Sequence, residues 1–239
     1  MCAIDRLDRY WAEELGCITN DLYQGGVTVC TPSHRDDPRW MGWHIPLLGV
    51  RLDQAVPDTG VLSVTPDLLP ALLLLLRKEN ANILPPPSMT IDAFAHRYIP
   101  NGCTRIDRIL QCDASTFTPA PEVFPVCKLN EDDAQTHWYR LHFDGPVFVA
   151  CDERRRVVAW SAIKCKSNEV WEMAVLTDAA FRNRGVGRSV VSYATCYTLE
   201  NGRVPIYLHD TSNVASSHVC RALGYQPYGY QFSCECGRK

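Results

Sequence analysis

Apolar residues recur at three- and four-residue intervals from Asp5 to Leu15, where Leu7, Tyr10, Trp11 and Leu15 share one face, and that period predicts a helix. Pro66–Lys78 predicts a second helix with proline in its first turn, where a missing N–H costs no hydrogen bond. Between them, Val27–Thr31, His44–Leu52 and Val61–Val64 are short runs of β-branched and other apolar residues, the pattern of strands. Gln24-Gly25-Gly26, Thr31-Pro32-Ser33 and Asp58-Thr59-Gly60 read as turns, and Pro85-Pro86-Pro87 must run extended. The first half therefore has an α/β pattern, and it contains no motif that carries chemistry.

A second proline-rich stretch, Thr118-Pro119-Ala120-Pro121 with Pro125 behind it, predicts a connection between domains. Residues 1–118 are then an N-terminal α/β region and 119–239 a second domain. That domain opens with a short strand at Val126–Leu129, after which Asn130-Glu131-Asp132-Asp133 puts acids at the positive end of a helix running toward Phe143. Pro146–Cys151 and Val157–Ile163 predict a hairpin across Asp152–Arg156, whose three arginines read as a solvated turn rather than a nucleic-acid patch. Strand Val170–Thr177, helix Arg188–Glu200, strand Pro205–Leu208 and a last helix complete the order.

Composition narrows the class. With 239 residues, 46% apolar and 21% charged, the chain has an ordinary globular mix, which excludes a disordered, collagen-like or coiled-coil protein. A net charge of −3 supplies no global field for a nucleic-acid backbone or an anionic membrane. The longest apolar run, Leu68–Leu76, is less than half of the roughly 20 residues of a bilayer span. The first residues mix acids, bases and aromatics without the order of a secretory signal, so a cytoplasmic protein is expected, with neither nucleic acid nor membrane as partner. The 12 cysteines are then expected to be reduced thiols acting as small buried hydrophobes. Cys234 and Cys236 are closely spaced but have no second pair at zinc-finger distance, so no metal site is expected.

The informative stretch is Val170–Gly187, where a mostly apolar strand leads through Arg182-Asn183-Arg184-Gly185-Val186-Gly187 into a helix. Strand, glycine-containing turn and helix N-terminus together form an anion-binding arrangement: backbone N–H groups can approach a diphosphate, and the helix dipole and the arginines favour it. A P-loop needs a lysine after the second glycine, and a dinucleotide fingerprint needs a third glycine where Val190 stands, so neither nucleotide motif fits.

The R-x-x-G-x-G pattern of Arg182, Gly185 and Gly187 resembles the coenzyme A loop of the GNAT superfamily of acetyl-CoA-dependent N-acetyltransferases. The resemblance continues through Asn213 at the head of the last helix and Leu223-Gly224-Tyr225, and covers roughly Val126 to Phe232. It implies the GNAT acyl-CoA N-acyltransferase fold, α/β (α+β) in class, with a mixed central sheet flanked by helices and an additional N-terminal α/β region. It implies acetyl-CoA as co-substrate. Backbone groups of Val175, Leu176 and Thr177 would meet the pantetheine arm, while Asn183, Arg184, Gly185, Val186, Gly187 and Arg188 would cradle the pyrophosphate. Arg182 would shape and charge the loop, and Asn213 would lie near the thioester end, though it reads equally well as a helix N-cap.

Acetyl transfer to an amine needs a neutral nucleophile, a polarised thioester carbonyl and a proton for the departing thiolate. A backbone N–H on Ala174–Thr177 would polarise the carbonyl, as the resemblance implies. Family members that use a tyrosine acid carry it seven residues after the asparagine, and that position here is Cys220, a candidate acid or a packing residue. Tyr225, Tyr228 and Tyr230 are nearby in sequence, Tyr225 as the aromatic of the Leu-Gly-Tyr turn. Candidate bases are Glu172 and His209, the latter followed by Asp210. Glu172 shares strand parity with Ala174 and Leu176, opposite to Val175 and Thr177, so it reaches the cofactor face only through a bulge. An amine arriving neutral needs neither. The expected acceptor is a primary amine of a small molecule. A non-catalytic acyl-CoA-binding module and an enzyme acting on a protein N-terminus or lysine stay open, and the N-terminal half is a candidate for the acceptor pocket or a homodimer contact.

Overall fold

The stripe of the first helix is used as its period demands: α1, Ala3–Leu15, buries Leu7, Tyr10, Trp11 and Leu15. The computed structural model describes residues 2–38, 43–78, 89–130 and 136–237. In chain order the further elements are β1 (Val27–Cys30), β2 (His44–Leu52), β3 (Gly60–Val64), α2 (Leu69–Lys78), α3 (Met89–Tyr98), β4 (Cys103–Gln111), β5 (Val126–Lys128) and α4 (Thr136–His142). They continue with β6 (Val147–Cys151), β7 (Val157–Cys165), β8 (Val170–Thr177), α5 (Val186–Glu200), β9 (Val204–Asp210), α6 (Val214–Ala222) and β10 (Gln226–Cys236).

Two compact units divide the chain. The N-terminal unit is Asp8–Ile109 with Pro227–Lys239, and the C-terminal unit is Leu110–Gln226 with Met1–Leu7. The N-terminal unit orders its strands β1-β3-β2-β10, with β1 parallel to β3 and β2 antiparallel to both β3 and β10. Leu47, Leu62, Leu72, Phe94 and Phe232 form its core. Its buried charges are paired, as burial requires. The Tyr23 and Tyr228 hydroxyls both donate to the Asp8 carboxylate at 2.7 Å, and Arg35 bonds Ser63 Oγ at 3.0 Å and the Glu14 carbonyl at 2.5 Å.

The C-terminal unit orders its strands β9-β8-β7-β6-β5. Its β5-to-β8 pairs are antiparallel and β8–β9 is parallel, so the sheet is mixed. One face packs Phe148, Ile163, Met173 and Tyr207 against Val191 and Ala194 of α5 and Cys220 of α6. The other packs Val149, Trp160 and Ala162 against Tyr139 and Phe143.

Several expectations need correction. The stretch at Thr118–Pro121 is not a free connection: Thr118 N–H donates to the Leu223 carbonyl and Ala120 N–H to Ser192 Oγ, which fixes it within the C-terminal unit, and the units divide after Ile109. Strands β4 and β10 and helix α3 were absent from the sequence reading, and β10 returns the end of the chain to the N-terminal unit. Of the cysteines, Cys112, Cys220 and Cys234 are buried; the other nine are exposed or partly so, and small buried hydrophobes describe only those three. The prolines at 85–87 and the acids at 131–133 lie outside the described residues. No helix among the described residues is long and apolar enough to cross a membrane.

Candidate active site

The parallel pairing of β8 with β9 lasts three residues, Val170↔Val204, Trp171↔Pro205 and Glu172↔Ile206, and then stops. On its other edge β8 stays paired with β7 as far as Ala159↔Thr177. The two strands therefore part after Glu172, leaving a gap. The Glu169 carbonyl accepts from Val204 N–H at 2.8 Å, so the backbone groups of odd-numbered β8 residues point toward β9. Val175 and Thr177 consequently turn their N–H and C=O into the gap, whereas Leu176 turns its own toward Trp160 of β7. Of the three residues expected to offer backbone groups to a pantetheine arm, two turn theirs toward the gap. Leu176 instead presents a half-exposed side chain on the opposite face.

At the end of β8 the chain is bent by local chemistry. Asp178 accepts from Ala180 N–H to cap a short 3₁₀ turn, Ala179–Phe181, and Arg182 Nε donates back to the Thr177 carbonyl at 3.2 Å. Arg182 thus shapes the loop. Asn183 and Gly185 both have left-handed backbones, with φ of 60° and 83°, and α5 begins at Val186. The Val186 side chain is fully buried with Val190, Ala150 and Val158, so only its backbone remains for a ligand. Gly187 packs against β8, with no room for a Cβ beside Thr177. The Arg184 guanidinium lies 5.5 Å from the Phe181 ring centre, and Arg188 Nε is buried without a hydrogen-bond partner among the described residues.

Across the gap, β9 leads into α6. Asn213 Oδ1 accepts from Ser216 N–H at 3.1 Å, so Asn213 is the N-cap of α6. His209 is buried, and its Nδ1 donates to the Asp210 carbonyl at 2.8 Å. Its Nε2 is buried with no hydrogen-bond partner among the described residues. By parity with Ile206, His209 and Tyr207 project to the α5 and α6 face, and their rings meet edge to face at 6.3 Å. Cys220 is fully buried and its thiol donates to the Ser217 carbonyl at 3.2 Å; burial pushes it up to about 11. Glu172 accepts from Lys164 Nζ at 2.8 Å, with Lys166 Nζ at 3.6 Å. Burial works to raise its pKa, but the two ammonium groups prevail and hold it at about 2.

A strand pair that parts beside a left-handed loop and a helix N-terminus is an arrangement for a long anionic ligand with an extended arm. The sequence model of the Acetyltransferase (GNAT) family matches residues 106–225, nearly the span of Leu110–Gln226. The chain belongs to that family. Among similar solved structures is a GCN5-related N-acetyltransferase from Kribbella flavida, 17% identical over 81% of this chain and 88% of that chain, with a TM-score of 0.49. A GCN5-related N-acetyltransferase-like protein from Streptococcus suis is 16% identical over 73% and 78% of the two chains, with a TM-score of 0.48. A GNAT-family acetyltransferase from Colwellia psychrerythraea is 11% identical over 72% and 75%, with a TM-score of 0.47. No curated protein sequence matches the chain.

Within this GNAT unit the candidate proton carriers separate. Glu172 stands on the face opposite α5, as strand parity predicted, and its carboxylate is engaged by two lysines. Cys220 has committed its proton. Tyr225 is buried against Thr195, its hydroxyl 2.8 Å from Thr195 Oγ1. Tyr228 bonds Asp8, and Tyr230 lies under Arg108 at 4.2 Å, both in the N-terminal unit. The sequence reading missed Tyr207, buried beside Ser216 and Cys220 with its pKa raised by burial to about 12. It stands directly after Ile206, where the strands part, a place the sequence does not show without the register of β8 and β9. Among the described residues, no cluster of three or more His, Cys, Asp or Glu is placed to hold a metal.

Proposed function

We propose that the protein is an acetyl-CoA-dependent N-acetyltransferase whose acceptor is a primary amine of a small molecule. The observation that carries this reading is the gap opened after the Glu172↔Ile206 pair, with the backbone N–H and C=O of Val175 and the N–H of Thr177 along one edge. A pantetheine arm, with its amides in line, adds to such an edge as a strand would. The residues at the mouth suit the diphosphate: N–H groups at the start of α5, the left-handed Asn183 and Gly185, and the side chains of Arg184 and Arg188. Bound there, acetyl-CoA supplies an activated acyl group on a thiol leaving group.

The chain's own residues have three tasks in the transfer. Backbone N–H groups of β8 facing the gap polarise the carbonyl. Nε2 of His209 takes the amine proton as the C–N bond forms and returns it to the thiolate as the C–S bond breaks. Its Nδ1–H, held by the Asp210 carbonyl, keeps the ring in the tautomer that does this. Glu172 with its two lysines and Cys220 with its apolar neighbours hold the sheet and α6 in place.

A non-catalytic acyl-CoA-binding module is the second reading, favoured by one observation: the position that holds tyrosine in some relatives holds the fully buried Cys220. Release of free thiol from acetyl-CoA, followed against a panel of small primary amines and amino-terminal peptides with mass analysis of the product, tests both. Release with a small amine supports the enzyme; release with peptides alone moves the acceptor to proteins; binding without release favours the module.

A further inference from the structure

We propose that Cys17 and Cys30 form a hydroperoxide-sensitive dithiol that closes to a reversible disulfide, a modification site in the N-terminal unit separate from acyl transfer. The segment leaving α1 runs beside the segment leaving β1 in the opposite direction. The Glu14 carbonyl accepts from His34 Nε2 at 3.0 Å and from Arg35 at 2.5 Å. Two residues on, the backbone of Gly16 is pressed so close to Pro32 that an added Cβ would lie 2.6 Å from the proline Cβ. Cys17 follows Gly16 and Cys30 stands two residues before Pro32, and the two thiols hydrogen-bond each other. Both are half-buried, open to a small oxidant, whereas Cys112, Cys220 and Cys234 are sealed in cores.

The pair is also differentiated. Cys17 donates its S–H to Cys30, which holds the Cys30 thiol below its usual range against burial and the Asp21 carboxylate, and raises that of Cys17. Either sulfur can attack first. When Cys30 does, its thiolate takes one oxygen of hydrogen peroxide as the O–O bond breaks, giving a sulfenic acid and hydroxide. Cys17 gives its proton to that hydroxide and attacks the Cys30 sulfur, the S–S bond forms, and the sulfenic oxygen leaves as hydroxide that takes up from solvent the proton Cys30 released on ionising, giving the second water. Two thiols lose two electrons, and one peroxide becomes two waters. The bridge ties the chain just past α1 to the last residue of β1.

Residues 10–35 contain no lysine or arginine before Arg35, so one tryptic peptide carries Cys17 and Cys30 and no other cysteine. Reduced full-length protein is exposed to hydrogen peroxide, blocked with iodoacetamide, digested and mapped by mass. The expected result is a peptide lighter by two hydrogens, with both alkylations lost, restored by dithiothreitol, and a thermal midpoint higher by several degrees in the oxidised protein. Cys17→Ala should leave a Cys30 sulfenic acid trapped by dimedone and should slow alkylation of Cys30. A peptide that keeps both alkylations while other cysteines oxidise, or a Cys30 bonded to a different cysteine, overturns the proposal.

Discussion

A Cβ added to Gly187 would lie 2.6 Å from Thr177 Oγ1, so the first turn of α5 touches the end of β8 at a distance only glycine allows. That contact sets how close the helix N-terminus stands to the backbone edge of the gap. Gly187→Ala must push the turn or rotate Thr177, and the expected loss of acetyl-CoA affinity is about tenfold, or about 1.4 kcal/mol, with the melting transition preserved. Thr177→Ala in the same chain removes the obstructing oxygen and should restore most of the affinity. Titration of the two variants checks this, and a single variant with normal affinity would separate the loop from binding.

Glu172 makes a stability prediction with a definite sign. Its pKa is held at about 2 in the folded chain against an ordinary 4.5, so its contribution is present above about pH 4.5 and lost as pH falls toward 2. Its lysines are partly exposed, and with that screening the contribution is about 2 kcal/mol. Glu172→Gln should lower stability by that order near pH 7, and urea titrations of the two proteins should converge as pH falls through the window. The pH dependence of the transfer rate near neutrality should stay as it is. A shifted profile would make Glu172 the base.

Much of this was legible in the sequence, and the rest was not for reasons of distance along the chain. The stretch Val170–Glu200 is one local unit, and its glycines, arginines and strand parity could be read without tertiary information; so could the cap at Asn213. The parting of β8 from β9 depends on register between residues more than thirty apart, and the lysines on Glu172 come from or beyond the neighbouring strand. Strand β10 carries a proline and a glycine, which weaken a strand pattern, and its partner β2 lies at the other end of the sequence. The proline-rich stretch looked like a linker because nothing local reveals that Leu223 and Ser192 hold it.

Cys220 is assigned to packing, and Cys220→Ala tests it. The expected cost is about 1 kcal/mol of stability, the scale of losing one methyl-sized group from a core, with the transfer rate unchanged within about twofold. A tenfold slower rate at normal acetyl-CoA affinity would return the thiol to the role of acid.

His209 carries the opposite expectation. His209→Gln should lower kcat by roughly 100-fold or more while the KM for acetyl-CoA stays close to the parent, because Nε2 moves a proton and does not hold the co-substrate. Full activity in that variant would leave the amine to lose its proton to water.

Calorimetric titration of the full chain with acetyl-CoA, repeated with desulfo-CoA, tests the central claim most directly. Saturable one-to-one binding of both, abolished by reversing the charge of Arg184 and Arg188 together, is the predicted result, since the edge of β8 and the loop hold the arm and the diphosphate rather than the sulfur. No heat and no saturation with either ligand would mean that the gap between β8 and β9 is not a coenzyme A site.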